Sequence, residues 1–338
     1  MTAGKRTRGI ILTAILIVAA ILLHLLANAL VGPWLAEGIR PNKSTLVLLT
    51  GGGLLFWSVM LSQALESITR AYYARSDLDL ILSSPASSKR LFAVRTAATA
   101  ASTMLLSALL AAPLIDVLAF RDSPKWLAAY GVLAASSALA TALGVAITLG
   151  LFQLVGPKRT RLIAQIVAAI IGAAFIIGIQ AAAILSYGTM NRFTVLQSAD
   201  VVARAPDVAS LFWLPARAAM GDLPSLAIAV LVGFGALAIA IVVSASSFSR
   251  HAVAAAGIGH ARVHQATASF RPASQKQALR RKEWALLRRD PWLLSQTLMQ
   301  ILYLLPPALL LWINFGHSAG TAVVVVPVLV MAAGQLAG

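Results

Sequence analysis

The chain has 338 residues, 59% of them hydrophobic and only 11% charged, with a mean hydropathy of +0.85. A soluble globular domain carries about 25% charged residues, so the composition excludes one and indicates an integral membrane protein. The net charge of +16 would point to nucleic acid on a soluble chain; here the Lys and Arg lie between apolar runs, where they set topology and meet membrane lipids, and no nucleic-acid partner is expected.

A helix needs about 20 apolar residues to cross the hydrocarbon core. Eight runs qualify as spans, at residues 9–31, 45–65, 92–119, 126–155, 162–187, 223–248, 292–315 and 321–338. The fold class predicted is all-α: a polytopic transmembrane helix bundle with short cytoplasmic coupling and interfacial helices, forming one domain over 1–338. The first run follows Lys5, Arg6 and Arg8 and is too long for a cleavable signal, so it stays in place as a span. The last run lacks a closing basic flank, and a C-terminally truncated or short variant of a longer protein is expected. With the amino terminus cytoplasmic, 20 of the 27 Lys and Arg fall in inside segments, the bias that the positive-inside rule requires.

His24 and Asn28, four residues apart, share a face of the first run. Asp116 lies near the outer end of the third run, Glu66 ends the second, and Gln153, Gln165 and Gln180 lie in or near the fourth and fifth. Such residues admit two readings. His24, Asn28 and Asp116 could form a polar path for a substrate. Interhelical hydrogen bonding is the more ordinary role.

The stretch between the second and third runs is too polar for hydrocarbon. Ser76 and Asp79 have capping-box spacing, which starts a short helix through Asp77, Leu78, Leu80, Ile81 and Leu82. Ser84-Pro85 stops it, because Pro85 has no N–H and restricts the residue before it. A short apolar helix with an acidic start, held at the membrane surface, suits docking on a soluble partner that applies force. The Asp77/Asp79 pair does not suit acid–base chemistry, because a spacing of two puts them on different sides of a helix.

On the outside, Trp34 and Trp126 occupy interfacial positions. The segment 188–222 is the longest outer piece. Its 200–207 portion predicts a short helix, Trp213-Leu214-Pro215 reads as interfacial, and a packed cap is the ordinary role for such a segment. The largest cytoplasmic segment is 249–290. Its first part reads as loop with partial helix. Residues 275–289 lack Gly and Pro and form a basic amphipathic helix, with Leu279, Leu286, Leu287 and nearby Trp284 on a ragged apolar face. Asp290-Pro291 then reads as the cap and first turn of the seventh run.

Chemistry-bearing motifs are few. No Gly-x-x-x-x-Gly-Lys-Ser/Thr, His-Glu-x-x-His or Gly-x-Ser-x-Gly occurs. Cysteine is absent, which removes disulfides and thiolate chemistry. His260 and His264 stand four apart without a third ligand nearby in sequence. No catalytic, cofactor-binding or metal-binding residue is therefore expected, and the chain is not expected to be an enzyme.

Two stretches carry a resemblance. Asp77-Leu78-Asp79-Leu80-Ile81-Leu82-Ser83-Ser84-Pro85, followed by Lys89-Arg90 and a span, resembles the coupling-helix segment of exporter-type ABC permeases. Arg281-Lys282-Glu283-Trp284, then Arg288-Arg289-Asp290-Pro291, resembles the helix that precedes a span in the same family. The resemblance implies a membrane-spanning subunit of the bacterial inner membrane. A separate ATPase subunit would bind Mg-ATP and press on the cytoplasmic helices. A homodimer, or pairing with a second permease half, would complete the pathway. The alternative from another class is a secondary transporter or channel without an ATPase partner, sensitive at His24, Asn28 or Asp116.

Overall fold

The computed structural model describes residues 3–73, 87–187, 193–257 and 274–289. Among these residues there is no strand, and the architecture is an all-α bundle. The helices are α1 (Ala3–Glu37), α2 (Lys43–Tyr73), α3 (Ser88–Arg121), α4 (Ala128–Tyr187), α5 (Phe193–Leu196), α6 (Ala199–Arg204), α7 (Leu214–Ala219), α8 (Leu223–Gly257) and α9 (Gln275–Arg289). Among the described residues five stretches are long and apolar enough to cross a membrane: Thr13–Ala36, Lys43–Arg70, Lys89–Arg121, Pro124–Gly156 and Leu223–Ala245. They correspond to the first, second, third, fourth and sixth predicted spans. The chain is thus an integral membrane protein. The runs 292–315 and 321–338 lie outside the described residues.

Polar residues mark the helix starts. Asn42 Oδ1 accepts from the Thr45 amide at 2.8 Å at the head of α2. Ser87 accepts from the Arg90 amide at 3.2 Å at the head of α3, and Ser274 caps α9 through the Gln277 amide at 3.4 Å. Each satisfies an amide that has no partner within its helix. The helices overrun the predicted spans. At 1.5 Å per residue the 31 residues of α2 extend about 46 Å, well beyond a hydrocarbon core of about 30 Å.

α4 is two limbs meeting at Gly156, where φ is 73° and ψ is 166°. Glycine alone adopts that geometry readily, and Pro157 follows it. Thr160 Oγ1 donates to the Gly156 carbonyl at 2.9 Å and ties the second limb to the break. The predicted gap between the runs 126–155 and 162–187 falls here. The second limb contributes a shorter apolar stretch, Leu162–Ala174.

The first limb of α4 is the hub. α2 lies beside it in parallel at a constant offset of 79 residues. Trp57 Nε1 donates to the Ser136 carbonyl at 3.2 Å, and the Thr69 and Thr148 hydroxyls stand 3.5 Å apart. Between those contacts Gly144 lies so close to α2 that a Cβ there would sit 3.3 Å from the Leu65 amide nitrogen. α8 runs parallel on another side. A Cβ on Gly233 would overlap the Ala135 backbone, with Ala135 Cα only 2.8 Å away, and Leu237 packs with Ala138 and Ala100. α3 runs antiparallel, with Ser137 donating to the Ala100 carbonyl at 2.6 Å. Small residues at these crossings let backbones approach, which is how helices associate where lipid removes the hydrophobic drive between them. α1 sits at the rim against α3.

This alternation gives the bundle two ends. At one, Ile68, Phe92, Val145, Phe152 and Ala245 pack together, close in sequence to Arg70, Lys89, Arg90, Arg95 and Arg159. We refer to it as the basic end. At the other, α5 to α7 make a cap on the start of α2. Trp213 is 2% exposed there among Leu46, Val47, Leu48, Leu196 and Ala216. Its Nε1 donates to the carbonyls of Asp207 at 3.0 Å and Pro206 at 3.3 Å. Lys43 Nζ adds a bond to the Ala205 carbonyl at 3.1 Å.

The cap overturns two expectations. Trp213 is core rather than interfacial. Trp126 is likewise buried, with Nε1 donating to Asp122 Oδ2 at 2.8 Å within the 3-10 turn region Pro124–Leu127. In each case a local acceptor satisfies the indole N–H, so the ring can leave the water interface. Trp34 stays exposed, and the apolar side chains that face outward at this end include Phe120, Leu127, Leu211 and Phe212. The helix expected over 200–207 is the shorter α6, begun by Ser198, which accepts from the Val201 amide at 3.4 Å.

Candidate functional site

The three polar residues singled out from sequence in the first and third spans lie together. α1 and α3 run parallel, so His24 meets Asp116 and Asn28, one turn further along, meets Arg121. His24 Nε2 is 3.5 Å from Asp116 Oδ2, with both side chains between 40% and 50% exposed. Arg121 donates to Asn28 Oδ1 at 2.5 Å. Tyr130, from the first turn of α4, donates to the other Asp116 oxygen, Oδ1, at 2.7 Å. His24 Nδ1 lies 2.8 Å from the Ala20 carbonyl on its own helix.

Among the described residues the seam therefore holds five polar side chains from three helices, within the last third of α3. Around it, Leu25, Leu26 and Leu30 of α1 and Leu105, Leu109 and Leu110 of α3 are exposed. It is a polar patch in an apolar wall, open on the flank of the bundle. Sequence reasoning missed two members, Tyr130 and Arg121. The signal for Tyr130 was present. Asp116 and Tyr130 are each seven residues from Ser123, so an antiparallel helical hairpin turning at that serine places them at one level.

The other intramembrane polar residues do not join this group. Gln153 is exposed, while Gln165 and Gln180 are buried in the second limb of α4. Glu66 pairs with Arg70 at 2.5 Å, one turn apart on α2 at the basic end. Hydroxyls supply most of the remaining interior polarity. Thr148 Oγ1 donates to the Gly144 carbonyl at 2.8 Å and Thr99 to the Arg95 carbonyl at 3.0 Å, each using its own helix as acceptor.

The basic surface helix is present with the bounds expected, Gln275–Arg289. Its described side chains, through Ala285, are all exposed. Trp284 stands five residues after Leu279, about 140° round the helix, so it belongs to a different face from the leucine. There it lines an open trough with Gln277, Arg280, Arg281 and Ala285. Lys282 and Glu283 are exposed beside it, and Arg288 and Arg289 complete the last turn. The expected coupling segment, Asp77, Leu78, Asp79, Leu80, Ile81, Leu82, Ser84 and Pro85, lies outside the described residues, as do Asp290, Pro291, His260 and His264. The described helix ends do locate its attachments. α2 ends at Tyr73 and α3 begins at Ser88, both at the basic end.

No family model matches the chain, and no curated protein or solved structure matches it either.

Proposed function

We propose that this chain is the membrane-spanning permease subunit of an ABC-type exporter, coupling ATP hydrolysis in a separate subunit to movement of a substrate across the membrane. The observation that carries the reading is the shared end of two connections. The segment 74–86, which holds the Asp77–Pro85 motif, leaves from the basic end between α2 and α3. The segment after α8, which leads to α9 and its Arg281-Lys282-Glu283-Trp284 motif, leaves from the same end. Under this proposal a motor that presses on one motif has the other on its side of the membrane. On this reading the basic end is cytoplasmic, the amino terminus is inside, and the membrane is the bacterial inner membrane. Mg-ATP belongs to the partner, and a second copy or second permease half completes the pathway.

The test is co-purification of the tagged chain from its native membrane. An ATPase should accompany it, and replacing Leu80 and Ile81 with Asp should abolish either the association or the coupling. Unchanged assembly with full coupling in that variant would sink the reading.

A second reading, an ion-driven transporter without an ATPase, is favoured by one observation: the His24–Asp116–Tyr130 group lies within the spans, where titratable residues serve ion-driven transport. It predicts transport that survives ATP depletion and is lost when the ion gradient is collapsed.

A further inference from the structure

With His24 neutral, two acceptors face each other across the α1–α3 seam, whereas a protonated ring would itself donate to Asp116. The Ala20 carbonyl can only accept, so His24 Nδ1 carries the hydrogen of their 2.8 Å bond. In the neutral ring Nε2 is then a bare lone pair, and it stands 3.5 Å from Asp116 Oδ2. Tyr130 does not fill this gap, because its hydroxyl is committed to Oδ1. Arg121 is turned to Asn28 instead. With the ring neutral, the gap takes a donor with at least two hydrogens.

The surroundings describe the rest of that donor. Leu109 and Leu105 precede Asp116 by seven and eleven residues, which puts all three on one side of α3. The two leucines are 69% and 73% exposed. Asp116 thus heads an open apolar lane about 16 Å long at 1.5 Å per residue. An aspartate is too short to reach the interface by snorkelling, as Lys and Arg do. Any further partner for its half-exposed carboxylate must therefore lie at its own level on the helix.

We propose that the seam binds an amphipath with a primary ammonium head. The ammonium donates to both His24 Nε2 and Asp116 Oδ2, and the tail lies along Leu109 and Leu105. As a statement about cargo this rests on the exporter reading; as a statement about binding it stands without it. The head chemistry has two natural sources, an amine-headed phospholipid and a free long-chain amine.

The experiment uses the full chain in phosphatidylcholine nanodiscs with no ATPase present. Retention of radiolabelled dodecylamine is measured against empty discs. Binding should saturate and be competed by unlabelled dodecylamine. Dodecyltrimethylammonium, which has charge but no N–H, and dodecanol, which has no charge, should compete poorly. Asp116→Asn supplies an amide N–H to the gap and removes the charge, so affinity should fall tenfold or more. Leu109→Trp fills the lane from its lipid face without touching the polar groups, and it should also weaken binding. This keeps the test decisive if the Asp116 variant fails to fold. Phosphatidylethanolamine added to the discs should compete if a lipid is the natural occupant and leave binding intact if a free amine is. No saturable binding, equal competition by all three dodecyl compounds, or unchanged affinity in both variants would overturn the proposal. Amine binding that persists while no ATPase co-purifies would remove the exporter reading alone.

Discussion

The first limb of α4 and the rim helix α1 are both apolar helices in one bundle, yet they are held by different forces. The hub limb meets α2 and α8 through Gly144, Ala135 and Gly233, with backbones nearly touching. α1 meets α3 through His24, Asn28, Asp116 and Arg121, with leucines exposed on both sides. In lipid, tight fit and polar contact are the two ways to join helices. Fit leaves no room for a third molecule. A polar join with half-exposed partners does leave room, and that is why the rim, rather than the hub, is where a molecule from the bilayer can be received.

If that division holds, substitutions in the packed parts should cost stability and substitutions in the seam should cost little of it. The largest effect is expected in the cap that continues the packed region. Trp213→Ala removes a ring that is 2% exposed and should lower unfolding stability by about 3–5 kcal/mol, read from thermal melts in detergent. Next is Gly233→Ala. The added methyl meets the Ala135 backbone, which cannot turn aside as a side chain could, and about 1–3 kcal/mol is expected. A neutral result there would mean that α8 is free to slide and that the hub is not a rigid fit.

Seam changes should be smaller. Tyr130→Phe deletes the donor to Asp116 Oδ1 and should cost about 0.6 kcal/mol, the average for a hydrogen bond between membrane helices. A loss as large as that of Gly233→Ala would blur the contrast and make the seam a structural clasp. The smallest effect is expected in the hub itself, from Thr148→Val, which keeps the side chain's shape and so probes polarity rather than fit. Thr148 donates to a carbonyl on its own helix and only approaches Thr69 at 3.5 Å, so the change should stay within about 0.5 kcal/mol. Both can be measured by denaturant titration of the purified chain.

The sequence was informative wherever one physical rule acts alone. Lipid demands long apolar runs, so the spans within α1, α2, α3, α8 and the first limb of α4 were legible from composition. A glycine followed by proline and basic residues can hardly continue a buried helix, and the break at Gly156 fell where the runs 126–155 and 162–187 part. α9 was legible to the residue because Ser274 caps it and its interior holds no breaker. Where two rules compete, sequence was ambiguous. Tryptophan suits both a membrane interface and a core with an acceptor nearby, and at Trp126 and Trp213 the acceptors Asp122 and Asp207 decided for burial. The partnership of α1 with α3 was illegible for a different reason. Apolar faces look alike to one another, and nothing in His24 alone announces which of the other helices carries its partner.

The parallel pairing of α2 with the first limb of α4 has a consequence for the timing of biosynthesis. Trp57 and Ser136 are separated by 79 residues, which a ribosome working at 5–20 residues per second adds in about 4–16 s. For that interval the flank of α2 that carries Met60, Leu61 and Ala64 waits in the bilayer with lipid or the insertion machinery against it. The young membrane protein must tolerate its second helix as a temporary stranger to the bundle before the fourth arrives to claim it.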